Sequence, residues 1–385
     1  MNALRVLYLV SPSASFAGIE RVVHEVADAL AKNFDDLDVH VGYCSSYDEP
    51  AIDAAAYTAH ILNVPRLLQM PVPVRRLIKS GRYDVVVVPQ VEATVMTWLG
   101  TRGVSVGALV CHLHGNPLVE ERDGTVRTRL AFVAWRRLLR SQISAVYTVS
   151  ESLARKVRTV IPDQVTVTNL PNPVRDLHGE PRPPEDPFRF VCVARLSYQK
   201  GQDVLLRAFA MARTRLPNAR LDLVGTGPQE QELRDLANDL DLNDSVEFSG
   251  FVKNPTEKLS GAGCFVLASR WEGFGVALVE ALQFGLPLVA TDCDFGPSDI
   301  ITDGVVGDLV PPEDPVALAE ALVAAANRDW VPEDAVRRAA RAREYSPAAV
   351  AGHHREALFS TFERSGLRRA PAPSAAVVGA HEGST

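Results

Sequence analysis

Short runs of Val, Leu and Ile alternate along this chain with longer stretches whose apolar positions recur every three to four residues. Residues 4–10 (Leu-Arg-Val-Leu-Tyr-Leu-Val) read as a buried strand. A loop through Gly18 follows, then a helix over 19–32 with Val22, Val23, Val26, Ala29 and Leu30 at helical spacing. Further strands are predicted at 39–43, 85–88, 104–110, 145–149 and 165–169. Short Val-rich strands between helical stretches point to a mainly parallel sheet covered on both faces.

The pattern then breaks. Residues 170–187 hold six prolines, which excludes a regular helix or a central strand. The alternation restarts beyond it, with strands at 188–193, 219–224, 246–248, 265–268 and 288–290 and helices at 202–215, 229–240 and 315–327. A last helix is expected over 348–364. The chain is therefore α/β, with a first domain over 1–172 and a linker over 173–187. A second such domain over 188–347 and a helix over 348–366 follow, and 367–385 is expected to be a disordered tail. Two domains of this kind are expected to place a ligand cleft between the carboxyl ends of their strands.

Length supports the division, since 385 residues exceed the size at which single cores usually split. A net charge of -7 does not suggest a nucleic-acid binder. The five cysteines, Cys44, Cys111, Cys192, Cys264 and Cys293, form no Cys-x-x-Cys pair, so buried free thiols are expected and no metal site is assigned. Residues 1–10 are too short for a signal peptide and no run of 18 apolar residues occurs, which points to a cytoplasmic protein. Peripheral contact with the inner face of the membrane stays open. Residues 126–140 interleave Arg127, Arg129, Arg136, Arg137 and Arg140 with Leu130, Phe132, Val133 and Trp135, a pattern that suits an anionic interface or a helix packed on a sheet.

The candidate chemistry lies at strand ends. Residues 265–268 should run into a glycine-rich turn, Glu272-Gly273-Phe274-Gly275-Val276, that opens a helix carrying Glu280. Backbone N–H groups at such a turn suit phosphate, and carboxylates suit hydroxyls. A ligand offering both is a nucleotide sugar. Glu272 is assigned to the sugar and Glu280 to the ribose, with the Phe274 and Gly275 amides on the phosphate between them. Arg195 and Lys200 flank the loop after the first strand of the second domain, where they can hold a diphosphate. Gly225 and Gly227 form another turn after a strand, suited to passing beneath a base or phosphate. Phe251 and Val252 end a strand where backbone groups can read a base edge. In the first domain Gly18 allows close approach to an anion. His114 is placed to hydrogen-bond a sugar hydroxyl, whereas His112 is expected to turn to the other face if the strand continues that far.

Taken together, these pieces resemble the retaining GT-B glycosyltransferases of family 4. The resemblance runs through Gly18-Ile-Glu-Arg21, His114-Gly115, Thr148-Val-Ser-Glu-Ser152, Asn172-Pro-Val, Ala194-Arg-Leu with Lys200-Gly201, Leu223-Val-Gly-x-Gly-Pro and the Glu272-x7-Glu280 motif. It implies a GT-B fold of two Rossmann-like domains with parallel sheets facing across a central cleft, residues 1–172 on the acceptor side, 188–347 binding the donor and the helix over 348–366 returning to the first domain. It also implies catalytic roles for His114, Arg195, Lys200 and Glu272, and a metal-independent transfer of hexose or N-acetylhexosamine without a resident cofactor. Of the donors, UDP-sugars rank first and GDP-mannose second. Ala17-Gly18 stands where the family usually has Gly-Gly. The Asp292-Cys-Asp-Phe-Gly-Pro-Ser-Asp299 segment resembles members that build bacterial surface glycans, with Asp299 where many have Glu. That resemblance implies a glycan or lipid-linked glycan acceptor, whose choice is expected to rest on first-domain loops that include residues 65–73 and 116–128. A soluble natural-product acceptor and a non-catalytic GT-B scaffold remain the alternatives, and the oligomeric state is open.

Overall fold

The computed structural model describes residues 3–16, 18–139 and 141–369. Ala17, Arg140 and the tail from residue 370 onward lie outside the described residues, so the expectations placed on them are not taken further. The chain forms two compact units. The first comprises the described residues up to Val149, Ala154–Pro173 and those from Pro347 on; the second comprises Ser150–Leu153 and Val174–Ser346.

The first unit is built on seven strands: β1 Leu4–Val10, β2 Leu37–Tyr43, β3 Thr58–Ile61, β4 Val85–Pro89, β5 Ala108–Leu113, β6 Ala145–Thr148 and β7 Thr166–Asn169. Their order in the sheet is β3-β2-β1-β4-β5-β6-β7, with every pair parallel. The central strands are buried along nearly their whole length, which explains why they are almost purely apolar. The closing helix Pro347–Arg364 belongs to this unit and packs on the first helix, Ile19–Asn33, through Val350, Ala351 and Leu358.

The second unit has six strands: β8 Asp186–Val193, β9 Arg220–Val224, β10 Val246–Gly250, β11 Ala262–Leu267, β12 Leu288–Thr291 and β13 Gly307–Val310. Their order is β10-β9-β8-β11-β12-β13, again all parallel. Phe190, Phe209, Leu221, Val266 and Leu322 are among the residues that fill the core between this sheet and its helices. Each sheet is thus an open, doubly wound layer of Rossmann type.

Three differences from the sequence reading have physical causes. The strand expected from residue 104 starts at Ala108, because the helix Val91–Thr101 runs up to that stretch and the turn after it is closed by the Val104 amide donating to the Thr101 carbonyl at 3.0 Å. Residues 65–73, read as a loop, run into the helix Pro71–Gly81; proline is tolerated in a first helical turn, where its missing N–H has no partner to lose. Residues 116–128, also read as a loop, contain the helix Pro117–Asp123 and the start of Val126–Leu138. Asn116 caps the former by accepting from the Leu118 and Val119 amides, and Thr125 caps the latter through the Thr128 amide.

Candidate active site

In the second sheet the succession of strands reverses direction between β8 and β11, and open α/β sheets bind ligands outside the carboxyl ends at such a reversal. The loop after β8 carries Arg195 and Lys200, and the loop after β11 carries Ser269, Arg270 and Glu272. The two loops meet there. Lys200 Nζ donates to Glu272 Oε1 at 2.5 Å, and the Ser269 hydroxyl donates to the same oxygen at 2.6 Å. Glu272 is buried, whereas the Lys200 side chain retains 21 % exposure and can still reach a ligand.

Gly201 explains how the loops come so close. Its φ is +62°, and a Cβ there would meet the Ala268 carbonyl oxygen at 2.1 Å. Only glycine lets the β8 loop rest on the end of β11 and set Lys200 over Glu272. Arg270 locks the same junction. Its guanidinium takes both Asp203 carboxylate oxygens at 2.9 Å, binds Glu313 at 2.8 Å and lies 4.0 Å from the centre of the Tyr198 ring. The Asp203 pairing holds the Arg270 pKa above its ordinary value.

Gly225 and Gly227 have a packing role of the same kind. A Cβ at either would meet the carbonyl oxygen of Ala194 or Leu196 at 2.1 Å, so the turn after β9 lies against the Arg195 loop. The exposed Arg195 side chain has no hydrogen bond or ion pair among the described residues, while its carbonyl is held by Gln202 Nε2 at 3.0 Å. Gly273 is half-buried, and Gly275, with φ +98°, opens the helix Val276–Leu282. The Phe274 ring turns into the interior against Tyr345 at 5.3 Å between centroids, which leaves the Phe274 residue only its backbone to offer a ligand. Glu280 sits on that helix, with its Oε1 3.3 Å from Arg175 Nε. Beyond β10, Phe251 is 76 % exposed and Val252 half-buried. Asp299, noted for replacing a glutamate, accepts from the Ser152 amide and hydroxyl at 3.0 and 2.6 Å, which gives it an anchoring role within this unit.

The first sheet also reverses, between β1 and β4, and its carboxyl-end loops hold the remaining predicted residues. Gly18 follows β1 with φ +57°, and a Cβ added there would meet nothing within 4 Å, so the turn is open. His114 follows β5 directly. One expectation is corrected: His112 does not turn to the other face. Residues two apart on a strand share a face, and the two imidazoles stand 4.1 Å apart. Neither ring nitrogen of His114 has a hydrogen-bond partner among the described residues. Burial pushes the His114 imidazole down to about 4, and the nearby Asn172 carboxamide, which lacks hydrogen-bond geometry to it, offsets part of that. His354, from the helix Pro347–Arg364, lies with its ring tilted 5.7 Å from that of His112, shares a hydrogen bond of 3.0 Å between Nδ1 and Tyr8 Oη, and is pushed down to about 3 by burial.

Two residues absent from the sequence reading join this end of the sheet. Gln90, after β4, adopts φ +64° although it is not glycine, and its buried Oε1 has no partner among the described residues. Glu120 lies over Gly115, where a Cβ would meet its Oε1 at 2.8 Å. Burial pushes the Glu120 carboxyl up to about 7; the Gln90 side chain opposes the shift and Glu92 adds to it. The sole sequence signal for Glu120 was the Asn116-Pro117 helix start; for Gln90 there was none. The five cysteines are buried and free, and burial pushes each thiol up to about 12. No group of three or more His, Cys, Asp or Glu suited to a metal occurs among the described residues.

Comparison with known proteins identifies the family. The family model described as glycosyl transferases group 1 matches residues 174–345, and the one described as glycosyl transferase 4-like domain matches residues 17–173. An uncharacterized glycosyltransferase of Methanocaldococcus jannaschii is 40 % identical over 117 residues, a match covering 30 % of this chain and 29 % of that one. A GDP-mannose-dependent alpha-(1-6)-phosphatidylinositol monomannoside mannosyltransferase of Mycolicibacterium smegmatis is 28 % identical over 72 % of this chain and 76 % of its own. Among solved structures, HepE of Anabaena in complex with UDP superposes with a TM-score of 0.75 at 20 % identity, covering 93 % of this chain and all (100 %) of that one. The chain belongs to the group 1, family 4 glycosyltransferases and has the GT-B fold.

Proposed function

We propose that the protein is a retaining, metal-independent hexosyltransferase that moves a hexose or N-acetylhexosamine from a nucleotide sugar to a hydroxyl acceptor. The observation that carries this reading is the Lys200–Glu272 pair at the strand reversal of the second sheet, beside the unpaired Arg195. Lys200 and Arg195 supply positive charge for a diphosphate and stabilise it as it leaves, which takes the place of a metal ion. Glu272 holds sugar hydroxyls through the oxygen that Lys200 and Ser269 leave available, and Glu280 binds the ribose. The Phe274–Val276 backbone faces the phosphate or sugar, Gly225 and Gly227 shape the nucleotide wall, and Phe251 and Val252 flank the base. In the first unit Gly18 approaches the distal phosphate, and a neutral His114 donates or accepts a hydrogen bond at the donor sugar.

UDP-sugars are the first donors to try and GDP-mannose the second, since HepE was captured with UDP and the mycobacterial relative is named for GDP-mannose. The Asp292–Asp299 segment favours a surface glycan, on a glycan or lipid-linked glycan acceptor handled at the cytoplasmic face of the membrane. No helix among the described residues is long and apolar enough to cross a membrane. Contact by the helix Val126–Leu138 suits such an acceptor: Val126, Leu130 and Val133 form its exposed stripe, with Arg129 and Arg137 alongside. A panel of UDP- and GDP-sugars with lipid-linked acceptors tests the reading. The expected outcome is transfer that persists in EDTA and a product with the donor's anomeric configuration by proton NMR. Inversion, or loss of activity in EDTA, contradicts it.

A further inference from the structure

The segment that opens the second unit is fastened to the helix carrying Glu280 by three contacts. Gln283 Nε2 donates to the Arg175 carbonyl at 2.8 Å, Gln283 Oε1 accepts from the Leu177 amide at 2.7 Å, and Arg175 Nε donates to Glu280 Oε1 at 3.3 Å. Glu280 and Gln283 are three residues apart and so share a face of Val276–Leu282. The same guanidinium reaches further. Arg175 Nη2 donates to the Lys253 carbonyl at 3.3 Å, the residue next to Val252 in the loop after β10. Arg175 therefore bridges the carboxylate assigned to the ribose and the loop assigned to the base, and the double clasp of Gln283 on its backbone holds it there.

The chemistry gives this bridge a purpose. A carboxylate beside a nucleoside diphosphate faces an anion of its own sign, and it can also rotate away from the hydroxyls it should accept from. An arginine on one carboxylate oxygen offsets the repulsion and fixes the plane of the group. At 31 % side-chain exposure for Arg175 against 12 % for Glu280, the pair is screened too weakly to be a plain surface ion pair.

We propose that Arg175 is a positioning residue for nucleotide recognition, acting through Glu280 on the ribose hydroxyls and through Lys253 on the base-side loop. This rests on the assignment of Glu280 to ribose. The test is calorimetric titration of UDP, GDP and their 2′,3′-dideoxy counterparts into the wild type, Glu280→Ala, Arg175→Ala and Arg175→Gln. The expected result is that both Arg175 variants lose about five- to tenfold in affinity for the ribonucleotide and clearly less, about two- to threefold, for the dideoxy form, the difference reading the contact through Glu280 and the shared loss the base-side loop. Arg175→Gln keeps much of the side chain, so agreement between the two variants separates lost charge from lost packing. Equal losses on both nucleotides, or none, while Glu280→Ala remains selective for the ribonucleotide, overturns the role of Arg175 and leaves the ribose assignment standing. A Glu280→Ala variant that does not distinguish the two nucleotides overturns the ribose assignment, and the inference falls with it.

Discussion

The loops at the carboxyl ends of the two sheets are built on opposite principles. In the second unit the functional side chains are charged and, Arg195 apart, paired with one another: Lys200 with Glu272, Arg175 with Glu280, Arg270 with Asp203. In the first unit they include polar atoms without partners among the described residues, both ring nitrogens of His114 and Gln90 Oε1, beside a Glu120 whose carboxyl burial pushes up to about 7. The contrast matches what each unit is proposed to hold. A diphosphate needs preorganised charge, and mutual pairing keeps that charge in place before the ligand arrives. Sugar and acceptor hydroxyls need donors and acceptors, and a buried neutral group supplies them without attracting a counterion.

The contrast can be broken most severely at Lys200. Lys200→Ala should lower turnover about 10²–10³-fold in a donor-hydrolysis or transfer assay, the range for losing one preorganised stabilising group. It also leaves the buried Glu272 with Ser269 alone, at a cost of about 1–3 kcal/mol measured by urea unfolding. Equal kinetics in variant and wild type would remove the second unit's claim to the chemistry. Glu272→Ala should depress turnover more than it weakens nucleotide affinity.

Acidity sharpens the comparison at the next level. His114 and His354 have folded pKa values of about 4 and about 3, below the ordinary histidine value. Protons therefore bind the unfolded chain first, and stability should fall as pH drops through the ordinary histidine range toward 4. Glu120 acts in the opposite sense. Its folded value of about 7 lies above the ordinary 4.5, so its contribution is complete below 4.5 and is lost as pH rises toward 7. Denaturant unfolding of the first unit, followed at several pH values, should show Glu120→Gln removing that second slope and leaving the first. A variant with the wild-type profile refutes the Glu120 assignment.

A smaller effect is expected from Tyr8→Phe, which deprives the buried His354 Nδ1 of its partner at 3.0 Å. The expected loss is about 1–2 kcal/mol in stability with nucleotide affinity unchanged, because the contact belongs wholly to the first unit. The smallest is Leu130→Ser on the exposed stripe of Val126–Leu138. Stability should move by no more than about 0.5 kcal/mol. Sedimentation with vesicles containing phosphatidylglycerol should nevertheless fall, and equal sedimentation would argue against membrane contact by this helix.

Much of the fold was legible because parallel strands announce themselves: β1 was read to the residue at 4–10, and the restart of the pattern after the prolines marked a second sheet. The Glu272–Glu280 motif was equally plain, since its glycines, spacing and carboxylates fall within one short segment. What stayed hidden depends on pairing across the chain. Arg175 and Glu280 are 105 residues apart, and Gln90 meets Glu120 only because β4 and β5 lie side by side. The face shared by His112 and His114 was in principle readable from strand geometry, and the expectation was wrong. Gly201 shows a third case: its neighbour Lys200 looked like the signal, but the missing Cβ is what lets the loop settle on β11.

The central claim, that the second unit holds a nucleotide diphosphate through Lys200, is tested most directly by calorimetric titration of UDP and GDP into the wild type, Lys200→Ala and His114→Ala. The account predicts that the wild type binds one of the two nucleotides clearly better. Lys200→Ala should weaken that binding at least about tenfold, as loss of a charge-assisted contact does, and His114→Ala should leave it within about twofold. Binding that survives Lys200→Ala unchanged, or no binding of either nucleotide by the wild type, would contradict it.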